Sequence, residues 1–209
     1  MKKQLISLGA ILLVCSLAMC INQAQIPDKF FESYGKIEAT QTEIDKNFNL
    51  LWDQEAKRIE YVTKNKDNEN IDHNYIISML KSEQTFLDAI NNNNANYSKQ
   101  ISGLYEVVKE VKGDEAKSKA NDLTITLRKS EQYLGNAAVR YSSAINSIGK
   151  VENYYAIDAN LSDPLIKAEI EAESLNAKSD FQRGDDFLGQ YYLAKKEANA
   201  TYQEILKMR

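Results

Sequence analysis

The chain has 209 residues, with 26 Lys and Arg against 30 Asp and Glu, for a formal charge of −4. That acidic balance argues against nucleic acid as a partner, and the length suits one domain large enough to bury a core. With only two prolines and eight glycines there are few breakers, so long uninterrupted elements are expected.

Lys2 and Lys3 precede an apolar run over 5–17 that ends in Leu17-Ala18-Met19-Cys20. This is the layout of an export signal. A run of thirteen residues falls short of the roughly 20 that a spanning helix needs, which favours cleavage over a permanent span. Both cysteines, Cys15 and Cys20, lie in this segment, so the exported domain has no pair for an internal disulfide. Leu17 and Ala18 ahead of Cys20 resemble a bacterial lipoprotein signal, in which the cysteine is lipidated and becomes the new N-terminus. Met19 departs from that pattern, where a smaller residue is usual. Cys20 is the candidate lipidation site; the alternatives are ordinary cleavage near Cys20 or Ala24, or an uncleaved anchor. Loss of Lys2 and Lys3 with the signal leaves 24 basic and 30 acidic side chains, a charge of −6. The expected organisation is an export signal or lipoprotein-type anchor at 1–20, a short linker at 21–27 and one helical domain at 28–209.

The remaining chain carries heptad seams. Beyond Pro27, the positions Phe30, Tyr34, Ile37, Gln41, Ile44, Phe48, Leu51, Glu55, Arg58 and Val62 keep strict 4,3 spacing. A polar turn at 64–70 interrupts them. The second seam runs Ile76, Leu80, Glu83, Leu87, Ile90, Asn94, Tyr97, Ile101, Leu104, Val108 and Val111, in phase through the asparagine tract at 91–96, which therefore reads as continuous helix despite poor propensity. Gly113 and Asp114 supply a stop and a cap. A third seam goes from Ala116 through Leu127, Ser130, Leu134 and Tyr141 to Tyr155. Asp163 and Pro164 then open a fourth helix as N-cap and first position. Its seam reads Leu165, Ala168, Ala172 and Leu175, slips near Gly184, and resumes as Phe181, Asp185, Leu188, Tyr192, Lys195, Asn199, Tyr202 and Leu206, with Gly184 and Gly189 marking a bend.

Helices at about 28–64, 71–112, 114–157 and 164–207, joined by short turns, predict an all-α fold. The expected form is an elongated, antiparallel, up-down-up-down four-helix bundle with coiled-coil-like packing, preceded by the signal or anchor helix. Folding the seams together puts Gln41 level with Asn94, Ser130 and Gln190, and Glu55 and Arg58 near Glu83 and Lys178. Such polar core layers commonly fix register; the functional alternative is a small polar site for a ligand or ion.

Catalytic chemistry finds little support. His73 is the sole histidine, expected to be solvated near a helix start, and it rules out Ser/His/Asp or Cys/His machinery beyond one imidazole. Di-iron bundles need Glu three residues before His, where this chain has Asn70. No metal, cofactor or phosphate loop is expected. Tyrosines off the seams, such as Tyr154 and Tyr191, are candidates for a partner-binding face. Three sequons occur, of which Asn160 is the most accessible.

In layout alone the chain resembles the LemA family, with its N-terminal anchor and long antiparallel helices, although Lys57-Arg58-Ile59-Glu60-Tyr61-Val62 lacks that family's Arg-rich segment leading into a proline. It also resembles the four-helix sensing module of chemoreceptors, without a second span or signalling part after Leu206. No motif carries either likeness. The expectation is an exported, membrane-associated, non-catalytic binding or scaffolding component of the cell envelope, held by its anchor or lipid and meeting a protein partner. The alternative is an extracytoplasmic ligand-sensing or solute-binding bundle.

Overall fold

The computed structural model describes residues 24–65, 71–157 and 160–209. The segment expected to be an export signal or anchor, 1–20 with Cys20, lies outside them. The described residues form four helices, α1 (Asp28–Asn65), α2 (His73–Val108), α3 (Asp114–Ala156) and α4 (Pro164–Leu206), and no strand. Their arrangement fits a four-helix bundle around one core.

The helix ends follow from local chemistry. Asp72 accepts the Tyr75 amide at 2.9 Å and so caps α2. At α4 Asp163 accepts the Leu165 amide at 2.8 Å, and Pro164 follows where a missing N–H costs nothing. The second helix stops at Val108 rather than near residue 112, because the chain there turns into another partnership. Gln25 and Lys112 exchange backbone hydrogen bonds of 3.1 and 3.0 Å. Gly113 caps α3 with φ +90°, and a Cβ there would meet the Ala24 Cα at 3.3 Å. Asp114 lies inside the first turn of α3 and is not its cap. The asparagine tract is helical throughout: exposed Asn91 and Asn92 sit between buried Ile90 and Tyr97.

The seams of α1, α2 and most of α3 face the core; on α1 every seam position from Phe30 to Leu51 is buried. Beyond Ala144 the α3 seam loosens, and Tyr155 is exposed. On α4 the expected phase is corrected. Its inward positions are Ala177, Phe181, Gly184, Leu188, Tyr191, Lys195, Ala198, Tyr202 and Ile205, again at 4,3 spacing. Leu165, Ala168, Ala172 and Leu175 are all exposed. Gly184 decides the phase: a Cβ on it would lie 2.7 Å from the Tyr141 ring, so the helix presents its bare backbone to that ring. The helix runs on through Gly184 and Gly189 without a break.

Small residues let α3 and α4 approach closely, Ala137 and Ala138 on one and Ala177, Gly184 and Ala194 on the other. Cα atoms of α4 come within 8 Å of α3, but nowhere of α1. Large rings bridge the wider gap. Tyr34 on α1 stacks on Tyr202 of α4 at 3.7 Å, and across the bundle Trp52 on α1 meets Tyr141 of α3 edge-on at 5.0 Å.

Candidate functional site

Two polar levels interrupt the apolar core, separated by the rings of Phe48, Trp52 and Tyr141. At the first, Gln41 Nε2 donates to the Tyr97 hydroxyl at 2.9 Å, and that hydroxyl is 2.6 Å from Ser130 Oγ, where either oxygen can donate. Burial pushes the Tyr97 phenol up to about 12, so it stays neutral. Gln41 and Ser130 thus meet through Tyr97, a seam tyrosine outside the expected polar layer. Asn94 is half-buried one turn away; its Nδ2 lies 3.1 Å from where Gly135 would carry a Cβ, and its Oδ1 finds no partner. Gln190 does not join the layer. It is exposed, because the phase set at Gly184 turns its neighbour Tyr191 inward. Tyr191 is fully buried, which removes it from any partner-binding surface, and its hydroxyl lacks a hydrogen-bond partner. Burial and then the nearby Asp45 charge raise its pKa.

The second level is ionic. Arg58 Nε donates to Glu83 Oε1 at 2.7 Å and Arg58 Nη2 to Glu83 Oε2 at 3.3 Å, a forked pair in which Glu83 is 1 % exposed. Glu55 Oε1 lies 3.7 Å from the same guanidinium. Burial raises the pKa of both carboxyls against the opposing pull of Arg58. At Glu55, Glu83 and Asp185 add to the rise. Asp185 accepts from the Tyr141 hydroxyl at 2.8 Å, so all four helices contribute to this region. Lys178 is exposed and takes no part; the acid near it, Asp180, pairs with Arg140 at 2.9 Å.

Other singled-out residues stand apart. His73 is half-buried rather than solvated, 2.7 Å from Glu152 through Nδ1 and stacked on Tyr155 at 5.0 Å. Tyr154 donates to Glu169. Asn160 is exposed and accepts the Ser162 amide at 3.2 Å. Among the described residues no cluster of His, Cys, Asp and Glu is arranged to hold a metal ion, and no helix is long and apolar enough to cross a membrane.

Surface clefts open between α2 and α3. One of about 340 Å³ is lined by residues that include Ile101, Tyr105, Ile125 and Arg128, and one of about 570 Å³ by residues that include Leu80, Lys81, Ile145 and Lys150. Neither includes a member of the two polar levels. The Tyr97 hub carried a sequence signal after all: a tyrosine one turn from Asn94 on the seam, within reach of Gln41 and Ser130. Tyr191 carried none, since Tyr192 fits an alternative phase equally well.

No family model matches the chain, and no curated protein or solved structure matches it. Its function is argued from its own geometry.

Proposed function

We propose that the chain is an exported, membrane-associated bundle that acts as a non-catalytic binding or scaffolding component of the cell envelope. The observation that carries this reading is the internal closure of both polar levels. Arg58 is spent on Glu83 and Tyr97 on Gln41 and Ser130, which is how polar core positions fix register. Large apolar side chains, by contrast, stand exposed on the outside.

The finer architecture proposed is an elongated up-down-up-down bundle. Supporting it, partner numbers fall as helix numbers rise. Gln41 meets Tyr97 and Arg58 meets Glu83; Tyr141 meets Asp185 and Tyr154 meets Glu169. Asp28 meets Arg209, and Gln25 meets Lys112, which gathers the start of α1, the α2–α3 turn and the chain's last residue at one end. On this reading the anchor at 1–20 tethers that end, through a lipid on Cys20, and α1 extends away over roughly 57 Å at 1.5 Å per residue.

The second reading, a ligand-sensing bundle, draws on the unpartnered Tyr191 hydroxyl and Asn94 carbonyl beside the Tyr97 level. Affinity capture of the full chain from its native membranes, with the anchor intact, tests both. A protein retained in fixed stoichiometry is expected. Its absence, together with a thermal shift produced by a small solute and lost in Tyr97→Phe, would overturn the scaffolding reading. Mass spectrometry of the extracted chain is expected to find acylated Cys20; an unmodified cysteine would remove the lipid anchor.

A further inference from the structure

The end of the bundle nearest the expected anchor is closed by its own chain. Residues 24–27 cross from the start of α1 to the α2–α3 turn, where Gln25 and Lys112 exchange backbone hydrogen bonds of 3.1 and 3.0 Å. Gly113, at φ +90°, makes room for the crossing, since a Cβ on it would lie 3.3 Å from the Ala24 Cα. Ala24 is therefore fixed on the end face. Cys20 lies four residues earlier, and four residues span at most about 14 Å when fully extended. With an acylated Cys20 held in the bilayer surface, this face stays within that distance of the lipid headgroups.

A cleft of about 580 Å³ opens on the same face, lined by residues that include Ala24, Ile26, Pro27, Glu110, Lys112 and Arg209. Glu110, Lys112 and Arg209 are exposed. Arg209 is steadied by Asp28 at 2.7 Å and by the Phe31 ring at 4.7 Å, which leaves further N–H donors on its guanidinium. The next charges along α2, Glu106 and Lys109, pair with each other at 2.6 Å. Counting Asp28 with its partner Arg209, two cations stand against two carboxylates. The cleft is neutral in sum and divided in sign, which complements a zwitterion rather than a simple anion. Lys112 and Arg209 suit a phosphate, and Glu110, with acceptors only, suits a primary ammonium. Ala24, Ile26 and Pro27 supply an apolar wall for the carbons between them.

We propose that this cleft holds the headgroup of a bilayer aminophospholipid, its phosphate on Lys112 and Arg209 and its primary ammonium on Glu110. The proposal rests on the acyl-anchor reading above and names what the tethered end meets. The test uses the full chain, with acylation of Cys20 verified by mass, in vesicles of phosphatidylethanolamine and phosphatidylcholine. A water-soluble carbodiimide joins a carboxylate to a primary amine in contact with it, forming an amide while the reagent takes up the water and becomes a urea. Phosphatidylethanolamine is expected on the peptide carrying Glu110 in several-fold higher yield than on Asp114 or Glu115, which line a different cleft at the same end. Lys112→Ala changes an exposed side chain and keeps the backbone bridge, so coupling at Glu110 is expected to fall several-fold at an unchanged melting temperature. Absent coupling at Glu110, equal yields at the three acids, or a yield unmoved by Lys112→Ala would overturn the cleft and leave the anchor reading standing. Equal coupling of dissolved glycerophosphoethanolamine at the same amine concentration would overturn the bilayer as the source. An unmodified Cys20 would sink the proposal and the anchor reading together.

Discussion

The Tyr97 level and the Arg58 level sit in the same core and bury polar atoms by opposite means. At Tyr97 every member is neutral, so the level gains only from satisfied hydrogen bonds, each worth about 1 kcal/mol net. At Arg58 a guanidinium and a carboxylate are both taken out of water, and their attraction must first offset that loss. The contrast teaches that the neutral level contributes modestly to stability, whereas the ionic one chiefly penalises any packing that separates its partners.

The largest expected effect breaks the ionic level. Arg58→Leu leaves Glu83 buried without its cation and is expected to cost about 3–5 kcal/mol in denaturant unfolding. Arg58→Leu with Glu83→Leu is expected to be neutral or stabilising; a double variant as unstable as the single would show that the pair is a net source of stability. Next comes the spacer between the levels. Gly184→Ala drives a methyl into the Tyr141 ring and should lower stability by about 1–3 kcal/mol, although helix propensity alone favours alanine by about 1 kcal/mol. Gly103→Ala, with nothing within 4 Å, should stabilise by about 0.5–1 kcal/mol, so thermal melts of the two variants should move in opposite directions.

The neutral level is sharpened by two tyrosines. Tyr97→Phe strands Gln41 and Ser130 and is expected to cost about 1–3 kcal/mol. Tyr191→Phe removes a hydroxyl that has no partner and should leave stability unchanged or slightly raised. The smallest effect is a pH slope. Burial holds the Glu55 and Glu83 carboxyls above their ordinary 4.5, so the folded chain binds their protons more tightly than the unfolded chain. Their contribution is complete below 4.5 and is lost as pH rises through the raised values. Glu55→Gln should therefore flatten the fall in stability above pH 4.5, with a small gain in stability at neutral pH. A slope unchanged by the substitution would contradict that assignment.

How much of this was legible in the amino-acid order differs by helix. On α1 and α2 the inward positions are mostly Ile, Leu, Phe and Tyr, so the seam stands out and the polar exceptions Gln41, Arg58 and Glu83 are visible against it. On α4 the inward positions include Ala177, Gly184, Ala194 and Ala198, whose small side chains give little hydrophobic signal, while leucines 165, 175 and 193 lie outside. A reading weighted by apolar size therefore followed the outer stripe. The misplaced Gln190 is the same one-residue error, since Tyr191 takes the inward position beside it. The ring of Tyr141 over Gly184 is a tertiary requirement that no single-helix pattern expresses.

The asparagine tract has a consequence for the order in which the chain acquires shape. Four successive asparagines at 91–94 are weak helix formers, so that part of α2 owes its coiling to neighbours that clamp Ile90 and Tyr97. A peptide cut from it should be largely unstructured in water. The middle of α2 is therefore expected to wind only once α1 and α3 offer a surface to wind against, and its amides should surrender deuterium protection before those at either end.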